Sequence, residues 1–224
     1  MYFDFHTHNK VRRKGVFSIV NIRAGYDDLE EINGPVSFGV HPWDTTRLNS
    51  IKVIDEVTNI KDLITIGECG LDKYKSGSLS EQTELFIKHV HCSEQLHKPL
   101  IIHCVGRYNE IINLKKQINP TQPWIIHGFN GHPQLAEQLI RNGFLLSFGS
   151  AIFIGKSKAR KSLIMMRDEP FFLETDDSGF AIEKLYSQVS ELQFIEINHL
   201  KNKIATTFFK TFPGMEFPRS QATC

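Results

Sequence analysis

Histidine and acidic residues stand at the downstream ends of short apolar runs throughout this sequence. Six such residues follow five of the runs: His6, His8, Glu68, His103, His127 and Asp176. Ionisable side chains are unfavourable at the mouth of a buried strand unless they are paired or bind a ligand. Four imidazoles and two carboxylates can hold two divalent ions bridged by a carboxylate. This set of nitrogen and oxygen donors suits Zn or Mn better than an all-oxygen site for Mg or Ca.

The spacing within the first group also indicates a shared site. Asp4, His6 and His8 alternate with Phe3 and Phe5. A β-strand has a side-chain period of two, so both histidines are expected on one face, with Asp4 beneath them. The two phenylalanines are then expected to face the surrounding helices.

Eight short apolar runs are candidates for the strands that position these residues. They lie at residues 2–5, 16–20, 36–40, 63–66, 100–102, 124–126, 144–148 and 171–173. Runs without polar alternation are typical of parallel strands buried on both faces. Stretches with helical spacing or helix-boundary residues lie at residues 80–96, 132–141, 181–191 and 194–212. This alternation predicts an α/β fold, a (β/α)8 barrel of the TIM type, in which all strands end at one rim.

The first strand–helix unit of this barrel is expected to be abridged. Residues 9–15 alone separate the first two apolar runs, whereas a parallel crossover usually needs about a dozen residues or more. Two interpretations remain open. Either the first helix is lost and a bare loop returns, or residues 16–20 do not form a regular barrel strand.

Composition excludes several classes of protein. The 224 residues carry 26 Lys+Arg against 25 Asp+Glu, so bulk positive charge does not hold this chain to nucleic acid. No apolar run is long enough to span a membrane, and no signal peptide is expected, because the first strand candidate begins at residue 2. The four cysteines have no paired CxxC spacing, which favours a reducing compartment. We therefore expect a single barrel domain over residues 1–224, located in the cytoplasm.

Six motifs in this sequence resemble those of the TatD family of metal-dependent deoxyribonucleases, a branch of the amidohydrolase-like barrels. They are DFHTH at residues 4–8, GVHP at 39–42, GECGLD at 67–72, PLIIH at 99–103, HGFNG at 127–131 and ETD at 174–176. The motifs occur in the family's order and extend over most of the chain. Taken together they are highly specific, although a single His-x-His is common.

The resemblance implies a pair of divalent metal ions, Zn, Mn or Mg, with Glu68 bridging them. The first ion would take its other ligands from three residues: His6, His8 and Asp176. The second ion would be bound by His103 and His127. Water activated by the metals would then attack a phosphodiester bond. Asp176 is expected to accept the proton of that water, which makes it the second catalytic residue beside Glu68.

Residues close to these ligands are expected to contact the substrate or assist the ligands. His41, Asp72 and Arg107 are assigned to this group. The family usually has an arginine two positions after the fifth-strand histidine, where this chain has Val105, and Arg107 is the candidate to reach the same phosphate. Glu174 precedes the last metal ligand by two residues and is expected to orient a ligand from below.

DNA, or another phosphodiester, is thus the expected substrate and partner, with no membrane and no obligate protein partner. Two alternatives remain open. The chain could be a metal-dependent barrel hydrolase that acts on a small phosphomonoester, amide or ester. It could also be a non-catalytic protein that binds metal or nucleic acid. The departure at Val105 motivates the second alternative, whereas the complete set of metal ligands argues against it.

Overall fold

The computed structural model describes residues 1–27, 32–45, 57, 60–75 and 77–215. Eight strands form one sheet, in which neighbouring strands are parallel and the spatial order follows the chain. They are β1 Tyr2–Thr7, β2 Val16–Arg23, β3 Val36–Gly39, β4 Leu63–Asp72, β5 Leu100–Val105, β6 Trp124–Ile126, β7 Phe144–Phe148 and β8 Phe172–Leu173. All eight strand predictions are confirmed, and several strands extend beyond the apolar runs.

The first and last strands close this sheet into a barrel. Thr7 and Asp176 form a parallel bridge. The backbone N–H of His8 donates to the Asp176 carbonyl at 3.0 Å, and the N–H of Asp176 donates to the His6 carbonyl at 2.9 Å. The strands of such a barrel all present their C-terminal ends at one rim. The predicted (β/α)8 barrel of the TIM type is therefore confirmed.

Six α-helices pack around the barrel in the described part of the chain. They are α1 Leu79–Leu96, α2 Tyr108–Ile118, α3 Pro133–Arg141, α4 Lys158–Met165, α5 Ile182–Gln193 and α6 Ile197–Thr211. Of these, α2 and α4 were not among the predicted helices. Phe194 was expected to begin the last helix, but it ends α5 in a left-handed conformation with φ of 53°. Within the described residues, no helix combines the length and apolar character needed to cross a bilayer.

The first unit is abridged, as expected, and its loop returns directly to a regular strand. β2 follows β1 after residues 8–15 and pairs with it in parallel, from Tyr2 opposite Val16 onwards. Arg12 fixes this connection. Its Nε donates to the Asn33 carbonyl at 2.8 Å, its Nη2 to the Pro35 carbonyl at 2.9 Å, and its Nη1 to the carbonyl of Ser18. One guanidinium thus ties the β1–β2 loop to β2 and to the segment that precedes β3.

The two phenylalanines of β1 face the helices, as the strand period predicts. Phe5 stacks on Phe172 of β8 with ring centroids 4.3 Å apart, and Phe3 contacts Phe208 of α6 at 4.8 Å. The Tyr186 hydroxyl of α5 accepts the N–H of Phe3 at 3.1 Å and donates to its carbonyl at 3.2 Å. These contacts hold β1 in place while its alternate residues point to the other face.

His89 of α1 is a buried packing residue that caps the end of β3. Its Nε2 accepts the backbone N–H of Val40 at 2.9 Å, and its Nδ1 donates to the Leu85 carbonyl at 2.9 Å. Protonation of Nε2 would set two N–H groups against each other in a fully buried position. Burial therefore lowers the pKa of His89 to about 4.

This depressed pKa predicts a stability that falls in mild acid. Between about pH 6.5 and pH 4, His89 is protonated in the unfolded chain but neutral in the folded chain. The stability contributed by neutral His89 is therefore complete above pH 6.5 and is lost towards pH 4, by about 3 kcal/mol. Urea unfolding at several pH values should show the stability advantage of the wild type over His89→Gln shrinking by this amount. The exposed His91→Gln should keep the wild-type pH dependence, and parallel curves for wild type and His89→Gln would contradict the assignment.

Candidate metal centre

A buried carboxylate of β4 lies at the centre of the C-terminal rim. Glu68 is 4% exposed, and its Oε1 has an imidazole nitrogen of three different strand ends around it. The distances are 2.9 Å to His103 Nδ1, 2.8 Å to His127 Nε2 and 3.0 Å to His41 Nε2. Strand ends that lie far apart in the sequence therefore converge on one oxygen atom.

The other oxygen of the same carboxylate faces a second group of donors. Glu68 Oε2 lies 3.5 Å from His6 Nε2 and 3.8 Å from His8 Nε2. Asp176 Oδ1 lies 3.6 Å and 3.4 Å from the same two nitrogens. Ligands of a tetrahedral zinc ion with bonds of about 2.1 Å stand about 3.4 Å apart. These four distances therefore match the spacing between ligands of a single divalent ion, and His6, His8 and Glu68 form a group compact enough to hold one.

His6 provides a chemical test of whether an ion belongs in this group. The residue is fully buried, and neither ring nitrogen has a hydrogen-bond partner among the described residues. Burying a polar group without a partner is unfavourable by about 1–3 kcal/mol. A metal ion at Nε2 satisfies this nitrogen, and the neighbouring carboxylates supply the negative charge that a divalent cation needs. The donor set therefore fits a metal ion.

Two of the histidines are supported from behind by carboxylates. His103 Nε2 lies 3.2 Å from Asp72 Oδ2, and His127 Nδ1 lies 3.3 Å from Glu174 Oε1. A carboxylate behind a histidine fixes the proton on the rear nitrogen and leaves the front nitrogen for a metal. His103 thus presents Nδ1 to Glu68, whereas His127 presents Nε2.

Glu68 and Asp176 are ionised at neutral pH. For Glu68, burial opposes ionisation, but the charge of His127 and hydrogen bonds from His103, His127 and His41 outweigh it and hold its pKa well below the usual range. Burial also opposes ionisation of Asp176, yet the hydrogen bond from His8 and the nearby imidazoles lower its pKa to about 2.

The pKa values of His127 and His8 are raised, whereas the pKa of His41 is lowered. Burial works against protonation of His127, but the charge of Glu68 and the hydrogen bond to Glu174 raise its pKa well above the ordinary value. The hydrogen bond to Asp176 likewise raises the pKa of His8. By contrast, burial lowers the pKa of His41, and its contact with Glu68 offsets this only in part. Metal ions at His8 and His127 would therefore compete with protons, whereas His41 favours the neutral ring.

Two polar residues that were not predicted as site residues, Asn21 and Asp4, hold the backbone of the metal centre in place. Asn21 Oδ1 accepts the N–H of Glu68 at 3.0 Å and the hydroxyl of Ser37 at 2.9 Å. Sequence reasoning missed Asn21, although a buried amide immediately after the apolar run 16–20 was a usable signal. Asp4 accepts the N–H and the hydroxyl of Thr175 at 2.8 Å and 2.7 Å, which fixes the segment leading to the last ligand.

Glycines permit the close strand spacing that brings these groups together. A Cβ on Gly39 would lie 2.7 Å from the Cα of Gly67, and a Cβ on Gly70 would lie 1.9 Å from the carbonyl oxygen of His103. Neither position accommodates a side chain without moving backbone. Gly70 also has φ of 150°, a conformation that favours glycine. The glycines beside Glu68 therefore serve the approach of β3 and β5 to β4.

The three residues assigned to the substrate differ in their surroundings. Asp72 is buried, and its Oδ2 accepts the indole N–H of Trp43 at 2.8 Å in addition to contacting His103. His41 contacts Glu68, as described above. Arg107 precedes α2, and its Nη1 donates to Glu110 Oε1 at 2.8 Å. The structure thus brings His41 and Asp72 into the cluster around Glu68 and places the Arg107 guanidinium on a carboxylate of α2.

The fold and this cluster define a class of protein: a parallel barrel with histidine and carboxylate donors for metal at its C-terminal rim, as in metal-dependent barrel hydrolases. Comparison with known proteins agrees. A family model described as TatD related DNase matches residues 20–207. A relative from Buchnera aphidicola subsp. Baizongia pistaciae, described as an uncharacterized metal-dependent hydrolase, is 30% identical over 161 residues, which cover 67% of this chain and 61% of the relative. The alignment thus spans less than two thirds of that relative's length.

Two solved structures share the whole fold. YJJV, a TatD homolog from Escherichia coli, superposes with a TM-score of 0.80 at 19% identity and covers 94% of this chain and 97% of its own. A TatD family hydrolase from Entamoeba histolytica superposes with a TM-score of 0.73 at 16% identity, over 96% of this chain and 98% of its own. Because the family model matches most of the chain, from residue 20 to residue 207, this chain belongs to the TatD family of metal-dependent hydrolases.

The support of His127 by Glu174 gives a testable prediction. Glu174→Gln preserves the volume of this fully buried side chain but removes the charge behind the His127 ring. The affinity for one of the bound metal ions should fall by about tenfold or more, as measured by calorimetric titration with Zn or Mn. The matched control is Glu196→Gln, because Glu196 is exposed and its side chain makes no capping hydrogen bond. Equal affinities in both variants and the wild type would refute the role of Glu174.

Proposed function

We propose that this chain hydrolyses phosphodiester bonds, with DNA as the substrate, using two divalent metal ions at the C-terminal rim. The observation that carries the proposal is the position of Glu68. Each of its two carboxylate oxygens faces a different set of donors: Oε1 faces His103 and His127, and Oε2 faces His6 and His8. A carboxylate in this position can supply one oxygen to each of two ions.

In this proposal, His6, His8 and Asp176 would hold the first ion together with Glu68, and His103 and His127 would hold the second ion together with Glu68. The mixture of imidazole and carboxylate groups favours Zn or Mn, with Mg as the further candidate. When bound, two such ions provide Lewis acids for the phosphoryl oxygens and for the attacking water.

Asp176 is the residue that we assign to proton transfer. It is the most exposed carboxylate of the centre, with a side chain 35% exposed compared with 5% for Glu68. Its Oδ1 faces His6 and His8, so Oδ2 is the atom assigned to accept the proton of the attacking water. The low pKa of Asp176, about 2, keeps its carboxylate ionised at neutral pH and therefore able to accept a proton.

Cations on the rim support a polyanionic substrate. Lys73 and Lys75 follow β4, and Lys156 and Lys158 follow β7; all four side chains are exposed. The net charge of +1 provides no general attraction for DNA, so local groups of this kind must contact the phosphates. The description of the matching family model, TatD related DNase, points to the same substrate.

A smaller substrate is the second candidate, and the surroundings of β5 favour it. Val105 is exposed at the position after Cys104 where the family usually has an arginine, and the Arg107 guanidinium is paired with Glu110. A site with fewer cations beside the metals suits a small phosphomonoester, amide or ester at least as well as a long polyanion.

Metal removal and a substrate panel test the proposal together. Labelled DNA oligonucleotides, a phosphomonoester and a carboxylic ester are incubated with the native protein, with chelator-treated protein and with protein reloaded with Zn, Mn or Mg. We expect DNA cleavage that the chelator abolishes and that an added metal restores. Cleavage by metal-free protein would overturn the metal mechanism. Preference for the monoester or ester would establish the second candidate, and DNA binding without product would indicate a non-catalytic protein.

Substitution of the bridging residue gives a further prediction. Glu68→Ala should lose both metal ions, as counted by elemental analysis of the purified protein, because it removes the carboxylate that supplies one oxygen to each ion. Activity should fall by at least about a hundredfold. Glu196→Ala, on the exposed surface, is the control and should retain both ions. Two ions in Glu68→Ala would contradict the bridging role.

A further inference from the structure

Three histidines approach the same oxygen of Glu68, and their positions do not by themselves distinguish metal ligands from hydrogen-bond donors. His41, His103 and His127 all have a nitrogen within 3.0 Å of Oε1. His41, Glu68 and His103 even form a group compact enough to hold an ion. A carboxylate oxygen has two lone pairs, so Oε1 can serve one ion and accept one hydrogen bond at the same time. The histidine that donates this bond has to be identified.

The backbone of the turn after β3 determines the tautomer of His41. The N–H of Trp43 donates to His41 Nδ1 at 3.2 Å. A backbone N–H is always a donor, so Nδ1 must carry a lone pair. The neutral ring then has its proton on Nε2, the atom that lies 3.0 Å from Glu68 Oε1. His41 therefore donates a hydrogen bond from Nε2 to Glu68 Oε1, and Nε2 has no lone pair left for a metal.

His103 and His127 have the opposite arrangement. Their rear nitrogens face carboxylates, Asp72 at 3.2 Å and Glu174 at 3.3 Å, and carboxylates accept protons rather than donate them when ionised. The rear nitrogens therefore hold the N–H groups, and the front nitrogens are the ones that exchange a proton for a metal ion. The environment behind each ring, rather than its distance from Glu68, divides the three histidines.

Trp43 makes a hydrogen bond to His41 and another to the carboxylate behind His103. Its backbone N–H fixes His41, while its indole N–H donates to Asp72 Oδ2 at 2.8 Å, and that same oxygen contacts His103. The next residue anchors the turn: Asp44 accepts two hydrogen bonds from the Arg23 guanidinium, at 2.7 Å and 2.8 Å. This turn, Pro42–Asp44, is thus tied to β2 on one side and to Asp72 on the other.

We infer that His41 is a positioning residue that donates a hydrogen bond to the bridging carboxylate, and that Trp43 holds His41 as a donor and His103 as a metal ligand. The inference rests on the proposed two-metal function. It predicts that Oε1 of Glu68 accepts the His41 N–H and binds the second ion simultaneously. His41 then stabilises the bridging carboxylate without adding a ligand.

The direct test is magnetic resonance on the wild-type protein loaded with ¹¹³Cd and labelled with ¹⁵N at histidine. We expect cadmium–nitrogen couplings to His103 and His127 and none to His41, whose spectrum should show protonated Nε2 and unprotonated Nδ1. The His41→Gln variant identifies the His41 signals by their disappearance. A cadmium coupling at His41, or a proton on its Nδ1, overturns the inference. Failure of the protein to bind two ions at all overturns the proposed function instead.

Three variants test the positioning role by metal content and affinity. His41→Gln retains an N–H donor and should keep two ions with near wild-type affinity, whereas His41→Leu should keep two ions with affinity lowered by about tenfold. His103→Gln should retain one ion. If His41→Gln retains only one, or binds as weakly as His41→Leu, His41 is not the donor proposed here.

Trp43→Phe separates the two hydrogen bonds described above, because it removes the indole N–H and leaves the backbone N–H. The affinity for the second ion should fall by about tenfold, while the His41 tautomer stays unchanged. The other tryptophan of the chain, Trp124, is fully buried, whereas Trp43 is partly exposed. Loss of the emission of an exposed tryptophan therefore confirms that Trp43 has been replaced. Unchanged affinity for both ions in Trp43→Phe would refute the link through Asp72.

Discussion

The rim of this barrel is organised around one buried negative charge. Transfer of an isolated carboxylate into a protein interior costs several kcal/mol unless partners compensate it. Glu68 meets this requirement with imidazoles from β1, β5, β6 and the turn after β3, none of which is a permanent cation. Protons provide the compensating charge in the metal-free chain, as the raised pKa of His127 indicates. Divalent ions provide more charge in the same volume, which is why a carboxylate surrounded by imidazoles is a favourable metal bridge.

A second layer of contacts keeps these groups in place. Asp72 and Glu174 fix the rings of His103 and His127, and Asn21 fixes the backbone of Glu68. Each of these supporting residues comes from a different strand or strand end than the group that it supports. The metal centre therefore depends on the register of the whole barrel, and a one-residue slip of β4 would remove Glu68 from both sets of donors.

The sequence allowed the fold and the ligand candidates to be predicted because both follow from local rules. Strand period two placed His6 and His8 together, and the parallel barrel placed Glu68 on the same rim. The supporting contacts follow no such rule. The indole of Trp43 meets Asp72 across 29 positions of sequence, and the tautomer of His41 depends on which group approaches its rear nitrogen. The helix α4 was absent from the helix candidates, because its buried face is supplied by Ala159, Ser162 and Leu163, too few apolar residues for a clear stripe.

The abridged first unit raises the question of what covers β1 and β2 where a barrel usually has a helix. The last helix supplies part of the answer. Phe208 of α6 contacts Phe3 of β1 at 4.8 Å and Phe17 of β2 at 4.9 Å, and Phe209 contacts Phe3 at 6.1 Å. Aromatic rings bury large apolar areas for few residues, so one aromatic helix face can cover two strands. His6 lies in β1 and His8 follows it directly. The aromatic face of α6 covers β1, and the hydrogen bonds of Arg12 fix the short loop that follows. Together they hold these two ligand candidates in place where a helix is absent.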